Sequence, residues 1–163
     1  MTKTEIEKRY LIKFLPDLKN SEKVEMIDVY MPEITPHAKL RARKIGSKYE
    51  LTKKVRKAQD NQYVMTEQTI EIVLEEFDFI YSKSSRKIEK DRYYCKYNDN
   101  IIEIDVFKGK HHGLVIAEVE FKDLQSLEQF NPPEFFGKEI NKVEELAGGV
   151  LSGLSYEDLK KFL

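Results

Sequence analysis

The sequence predicts a mainly β (α+β) protein: eight antiparallel strands that close into a barrel, covered by a few helices. Three observations predict it. Apolar and charged residues alternate at period two in run after run, the pattern of an extended chain whose successive side chains point to opposite faces. Short turn segments, Ile45-Gly46-Ser47-Lys48 and Asn98-Asp99-Asn100, separate two pairs of these runs at hairpin spacing. The charged residues share one parity in nearly every run, and closing about eight strands would enclose that face while removing the exposed sheet edges.

The first strand, about 3–13, sets Glu5, Glu7 and Arg9 against Ile6, Tyr10 and Ile12 on the other face. The second spans about 25–31. The third, about 38–45, aligns Lys39, Arg41 and Arg43, and the fourth, about 48–56, aligns Thr52 with Lys54. The fifth, about 65–72, carries Glu67 and Glu71 and runs into an expected helix, Leu74 to Tyr81. The sixth, about 86–97, aligns Lys90 with Arg92. The seventh and eighth, about 100–108 and 114–122, pair Glu103 with Asp105 and Glu118 with Glu120. Strands three and four, and six and seven, are expected hairpins, and consecutive hairpins favour an up-and-down order. After the break at Pro132-Pro133, helical pieces are expected at 143–150 and 156–163. The chain thus reads as one domain over 1–163, with a barrel over about 3–122 and a C-terminal helical segment over about 124–163.

Charged residues make up 35% of the chain, yet 28 Lys and Arg stand against 29 Asp and Glu, so the net charge of −1 signals no nucleic-acid or membrane partner. No apolar run approaches the ~20 residues of a membrane helix, and the polar N-terminus carries no signal-like segment; a cytoplasmic protein is expected. The aromatics do not form the basic-aromatic stripe of a single-strand nucleic-acid groove. The lone cysteine, Cys95, lies on the opposite parity from Lys90 and Arg92 and reads as packing. Met26, Met31 and Met65 read as packing between barrel and helices, His37 as a residue at a strand entrance, and His111-His112 as a solvated Gly-flanked loop.

An outer face of mixed charge would be the wet side of a sheet, its cross-strand pairs contributing from a few tenths to about 1 kcal/mol each. Here the acids fall together on strands one, seven and eight. Like charges at that spacing repel unless a cation sits between them. An enclosed face of this kind suits a polyanion bound through divalent metals.

Glu5-Ile6-Glu7-Lys8-Arg9 resembles the ExExK signature of the CYTH, or triphosphate tunnel metalloenzyme, superfamily. The resemblance spreads over nearly the whole chain. Lys39-Leu40-Arg41-Ala42-Arg43, a Gly turn and Thr52-Lys53-Lys54 are similar to the family's basic hairpin, and Lys90-Asp91-Arg92-Tyr93 to its K-x-R-Y strand. Glu103-Ile104-Asp105 and Ala117-Glu118-Val119-Glu120 resemble its last two strands, and Pro132 to Glu139 the segment after them. Two departures stand out. Arg9 replaces the signature lysine, keeping charge and phosphate affinity but not a deprotonatable ammonium. Lys142 to Gly149 replaces the family's D-x-R-Y-x-N segment, with consequences for how the barrel end closes.

The resemblance implies a bacterial-type inorganic triphosphatase that hydrolyses a small-molecule linear triphosphate with Mg²⁺ or Mn²⁺, tripolyphosphate being the favoured substrate. Arg9, Lys39, Arg41, Arg43, Lys54, Lys90 and Arg92 are then the expected substrate-binding bases. Glu5, Glu7 and Glu120 are expected to hold the metal that orients the triphosphate, with Glu67 and Glu118 also among the metal candidates. Glu103, Asp105 and Glu118 join Glu5, Glu7 and Arg9 as catalytic candidates, through a second metal or the attacking water. A class IV adenylyl cyclase, a thiamine or nucleoside triphosphatase, and a non-catalytic polyphosphate-binding module stay open as alternatives. The sequence leaves the oligomeric state open, monomer or homodimer.

Overall fold

The computed structural model describes residues 2–56 and 61–163. Strands β1 (Thr2–Ile12), β2 (Glu22–Met31), β3 (Leu40–Ile45), β4 (Lys48–Arg56) and β5 (Val64–Glu71) precede helix α1 (Leu74–Lys83). Then follow β6 (Lys87–Tyr97), β7 (Asn100–Phe107), β8 (Val115–Phe121), helix α2 (Leu124–Gln129), β9 (Phe136–Glu139) and the short helices α3 (Gly148–Leu151) and α4 (Tyr156–Leu159). The sheet runs β5-β4-β3-β2-β6-β7-β8-β1-β9, and antiparallel pairing of β1 with β5 closes it into a barrel.

Both expected hairpins form, with two-residue turns. Ile45 pairs with Lys48 around Gly46, and Tyr97 pairs with Asn100 around Asn98; both turn residues take positive φ (56° and 51°), which Gly and Asn tolerate. The up-and-down order does not hold. β1 and β2 are not neighbours, and α1 carries the chain from β5 across to β6, which lies between β2 and β7. The crossover is stabilised by burial on the outer wall: Phe77 of α1 packs on Val29 and Ala42.

The C-terminal segment is not wholly helical. β9 adds to β1 beyond the stretch that β5 covers, so the two together occupy one edge of β1. The expected helix over 143–150 is a 3₁₀ turn, Glu144–Leu146, followed by α3, and that over 156–163 is α4 with a 3₁₀ turn, Lys160–Phe162. The run Leu124–Gln129, at the start of the segment expected to be helical, is a helix capped by Asp123, whose carboxylate accepts from Ser126 N at 2.7 Å.

Apolar residues pack outside the barrel and across one of its ends. Tyr10, Ile102, Ile104, Ala117, Val119 and Phe121 face outward under Leu127 of α2 and Phe136 of β9. At the end where β2 finishes, Tyr30, Ile88, Phe107 and Ile116 meet Leu146 and Leu151 from the C-terminal segment. Burying each of those leucines contributes about 1.5–3 kcal/mol, so the segment is a packed cap. Its approach requires glycine: a Cβ on Gly149 would lie 1.9 Å from the Ala38 carbonyl oxygen, and one on Gly148 2.0 Å from the Tyr30 hydroxyl.

Two smaller expectations change. His111 is buried, Nε2 lying 2.9 Å from the Leu151 carbonyl, because its loop packs beneath the cap; His112 alone is exposed. Met65 lines the lumen, and Met26 shares the lumen parity of Asp28 and Tyr30, so neither packs under a helix. Cys95 keeps its expected place, packed with the outer apolar cluster.

Candidate active site in the barrel lumen

The barrel encloses a cavity of about 260 Å³. The period-two pattern delivers alternate residues of each strand to it: Glu5, Glu7 and Arg9 from β1, Arg41 and Arg43 from β3, Thr52 and Lys54 from β4, and Glu67 from β5. Lys90 and Arg92 of β6, Glu103 of β7, and Glu118 and Glu120 of β8 complete the wall, with Lys39 just before β3. Lys53 points outward, as its parity requires. Of the sequence-derived site residues, Asp105 alone is not on the cavity lining. It lies directly behind, 1% exposed, with its carboxylate bonded to Lys90 and to Arg92 Nε (2.6 Å) and Nη2 (2.7 Å).

Most bases are already paired with acids. Glu118 is clamped by two guanidiniums, accepting from Arg9 Nε at 2.9 Å and from Arg92 Nη2 at 2.8 Å. Arg92 also pairs with Glu103. Lys54 Nζ lies between Glu5 and Glu7, in contact with the first and 3.0 Å from the second. Lys3 reaches Glu120 at 2.5 Å at a more exposed part of the wall. Glu67 accepts from Thr69 Oγ1 at 3.0 Å, and that hydroxyl is 2.9 Å from Thr52 Oγ1. The cations that the acid pairs call for are thus supplied, in this state, by the chain's own side chains.

Two positions are less satisfied. Arg41 Nε is buried with no hydrogen-bond partner, and neither Arg41 nor Lys39 makes an ion pair among the described residues. Glu5 Oε2 is likewise buried without a hydrogen bond of proper geometry and touches Lys54 only as an ion pair. A buried donor without an acceptor is costly unless a ligand supplies one.

The electrostatics follow from this packing. Burial alone would raise Glu118, yet Arg92, Arg9, Lys90 and Lys54 together hold it well below the usual carboxylate range. For Glu7 burial wins over the attraction of Lys54, and its carboxyl is pushed up. Burial likewise raises Glu103 despite Arg92. Lys90 is lowered by burial and by Arg92 and Arg43, against the pull of Asp105.

Several lumen residues escaped the sequence reading. Asp28 is buried and binds Arg43 through both oxygens, Nε to Oδ1 at 2.6 Å and Nη2 to Oδ2 at 2.7 Å. It shares parity with Tyr30 in β2, the signal that could have found it. Glu50, His37 and Tyr30 also line the cavity. Asn141, after β9, accepts from Arg9 N at 2.8 Å and donates to the Glu7 carbonyl at 2.9 Å, fixing the backbone between two lumen residues.

Among the described residues, no three His, Cys, Asp or Glu side chains converge as a ready-made metal cage. That arrangement still fits Mg²⁺ or Mn²⁺, because Mg²⁺ is usually held by one or two carboxylates together with substrate phosphates and waters. The adjacent Glu5 and Glu7 carboxylates, one with an oxygen lacking a hydrogen bond, supply the oxygen donors such an ion takes.

No protein-family model matches the chain. It is 32% identical over 141 residues to an inorganic triphosphatase of Nitrosomonas europaea, a match covering 85% of this chain and 90% of the relative. The chain belongs to the inorganic triphosphatases of the CYTH, or triphosphate tunnel, superfamily. The crystal structure of the inorganic triphosphatase NE1496 superposes on this CYTH barrel with a TM-score of 0.67 and 28% identity, covering 91% of this chain and 93% of that one. The Hippeastrum protein HpAC1, whose structure is described as revealing a dominant triphosphatase activity, shares the fold at a TM-score of 0.54 and 14% identity, covering 78% and 83% of the two chains.

Within the CYTH barrel, the Arg9 substitution now has a structural consequence. Arg9 Nε serves Glu118 while Nη2 donates to the Leu146 carbonyl at 3.0 Å. A lysine, with one nitrogen, has no such fork. Arg9 therefore ties the lumen acids to this chain's own C-terminal cap.

Proposed function

We propose that this CYTH protein is a divalent-metal-dependent hydrolase of linear triphosphates, converting tripolyphosphate to pyrophosphate and orthophosphate in its lumen. The observation that carries the reading is the buried Nε of Arg41, which has no hydrogen-bond acceptor among the described residues although most bases of the wall are paired with acids. Phosphate oxygens supply the missing acceptors, and a guanidinium meets them bidentately.

In this reading Arg41 and Lys39 grip the triphosphate first, and Arg43, Lys90 and Arg92 add positive potential from behind their carboxylate partners. Glu5, Glu7 and Glu120, with Glu67 and Glu118 nearby, would hold Mg²⁺ or Mn²⁺, which when bound neutralises phosphate charge and acidifies a water. Glu118 stays ionised between Arg9 and Arg92. Glu103, raised by burial, is suited to accept a proton from the attacking water. Asp105 holds Lys90 and Arg92 in place. Water attacks the terminal phosphorus, the bridging P–O bond breaks, and pyrophosphate leaves with that oxygen; the protein contributes positioning and charge stabilisation.

The lining favours a substrate gripped through its phosphates, since Arg9, Arg41, Arg43, Lys54, Lys90 and Arg92 all face the lumen. Incubating the protein with tripolyphosphate, ATP and thiamine triphosphate in parallel under Mg²⁺ or Mn²⁺, and separating the products, tests this. Tripolyphosphate should be consumed fastest; cyclic AMP from ATP would transfer the chain to the cyclase reading, and binding of tripolyphosphate without phosphate release to the non-catalytic one. The absence of a helix long and apolar enough to cross a membrane among the described residues is compatible with the cytoplasmic location proposed for such an enzyme.

A further inference from the structure

Lys54 stands where a metal would be expected. Its ammonium is inserted between Glu5 and Glu7, touching the first and 3.0 Å from the second, and the three side chains are only 15–26% exposed. These acids are adjacent on one face of β1 and would repel each other without a cation between them. Lys54 reaches β1 from β4 over the lumen face of β5, which pairs with both strands, on a long side chain with several rotatable bonds.

We infer that Lys54 is the resident counter-ion of the Glu5–Glu7 position, and that a divalent ion entering there displaces its ammonium into the lumen, where it becomes a phosphate ligand. The inference rests on the metal-dependent reading above and gives Lys54 two alternative partners. Glu5 and Glu7 cannot satisfy Lys54 and a divalent ion at once in the same contacts. An ion entering alone would put the displaced ammonium beside Arg41 and Lys39, bases that make no ion pair among the described residues, at a cost that the single carboxylate of Glu67, its ladder partner on β5, offsets only in part. A triphosphate arriving with the ion removes that penalty. Metal and triphosphate should therefore bind as a set, with Lys54 exchanging one anion for the other.

The test is Mn²⁺ binding to the folded protein without triphosphate, measured by the paramagnetic signal of the free ion. Lys54→Met should bind Mn²⁺ at least about tenfold more tightly than wild type, having no ammonium to displace, whereas Lys53→Met, on the outer face, should match wild type. Equal or weaker binding by Lys54→Met overturns the inference. A second measurement needs no variant: acetylation of wild-type lysines, read by mass spectrometry. Labelling of Lys54 should rise at least about threefold on adding Mn²⁺ and fall when tripolyphosphate follows; labelling unchanged by Mn²⁺ overturns the inference. If the protein binds Mn²⁺ in this pattern but releases no phosphate from tripolyphosphate, the ion exchange stands and the hydrolase reading fails. Turnover with no effect at Lys54 is the reverse case.

Discussion

Arg43 and Asp28 face each other across β3 and β2 and are joined by two parallel N–H···O bonds of 2.6 and 2.7 Å, with Asp28 1% exposed. The pair is a structural element of the lumen wall, because removing one partner strands the other charge in a buried site. Asp28→Asn should cost about 3–5 kcal/mol of stability, the range for breaking a buried pair. Its pH dependence has a definite sign. Burial opposes ionisation of Asp28, but Arg43 overrides it and the folded-state pKa is lowered. The stabilisation is present above the ordinary aspartate pKa and is lost as pH falls below that range. Denaturant melts of wild type and Asp28→Asn from pH 7 downward should converge at acid pH; curves that stay parallel would contradict the assignment.

Arg41 differs from Arg43 and Arg92 in making no ion pair with a carboxylate among the described residues. Arg41→Ala should weaken tripolyphosphate binding by ~1.5–3 kcal/mol, typical of a hydrogen bond to a charged group, with the melting temperature nearly unchanged. Arg92→Ala should lower both, because Arg92 holds Asp105, Glu103 and Glu118. Lys53→Ala should change neither. Calorimetric titration beside thermal melts separates these outcomes, and a loss at Lys53 equal to that at Arg41 would contradict the register.

Glu7→Gln keeps volume and removes a charge that the proposed metal requires. Rate per folded molecule should fall by at least about a hundredfold while the circular dichroism melt stays cooperative. Glu120→Gln, at a more exposed part of the wall beside Lys3, should show a smaller fall. If Glu7 served only to balance Lys54, the variant would lose stability and keep its rate.

Strand parity was legible in the sequence because it is a local property. Ile6, Tyr10 and Ile12 pack outside, Glu5, Glu7 and Arg9 point inside, and the Gly46 and Asn98 turns set two hairpins. Strand order was not, since the β5-to-β6 crossover depends on Phe77 finding Val29 and Ala42 in space. β9 escaped because four residues show too little alternation to stand out, and its partner β1 lies more than a hundred positions away. Asp28 escaped for another reason: it is an isolated acid between Met26-Ile27 and Val29-Tyr30-Met31, and only Arg43 across the ladder gives it meaning. The charges themselves were visible, but their pairing was not, so Lys54 read as a phosphate ligand without its hold on Glu5 and Glu7.

Specificity should follow the bases of the lumen, which grip phosphate oxygens. Tripolyphosphate should exceed ATP by at least about tenfold in kcat/KM, equivalent to ~1.4 kcal/mol of differential transition-state binding. Pyrophosphate, with fewer oxygens to meet the lumen bases and a metal together, should be a poor substrate. Steady-state phosphate release on the three compounds measures this, and equal kcat/KM for ATP and tripolyphosphate would contradict it.

The central claim is that this lumen hydrolyses a triphosphate with help from a divalent ion, and phosphorus NMR of tripolyphosphate incubated with the protein tests it most directly. With Mg²⁺ or Mn²⁺ present, each tripolyphosphate consumed should yield one pyrophosphate and one orthophosphate, and excess EDTA should stop the reaction. Unchanged tripolyphosphate in the presence of metal, or the same turnover in EDTA, would contradict the account.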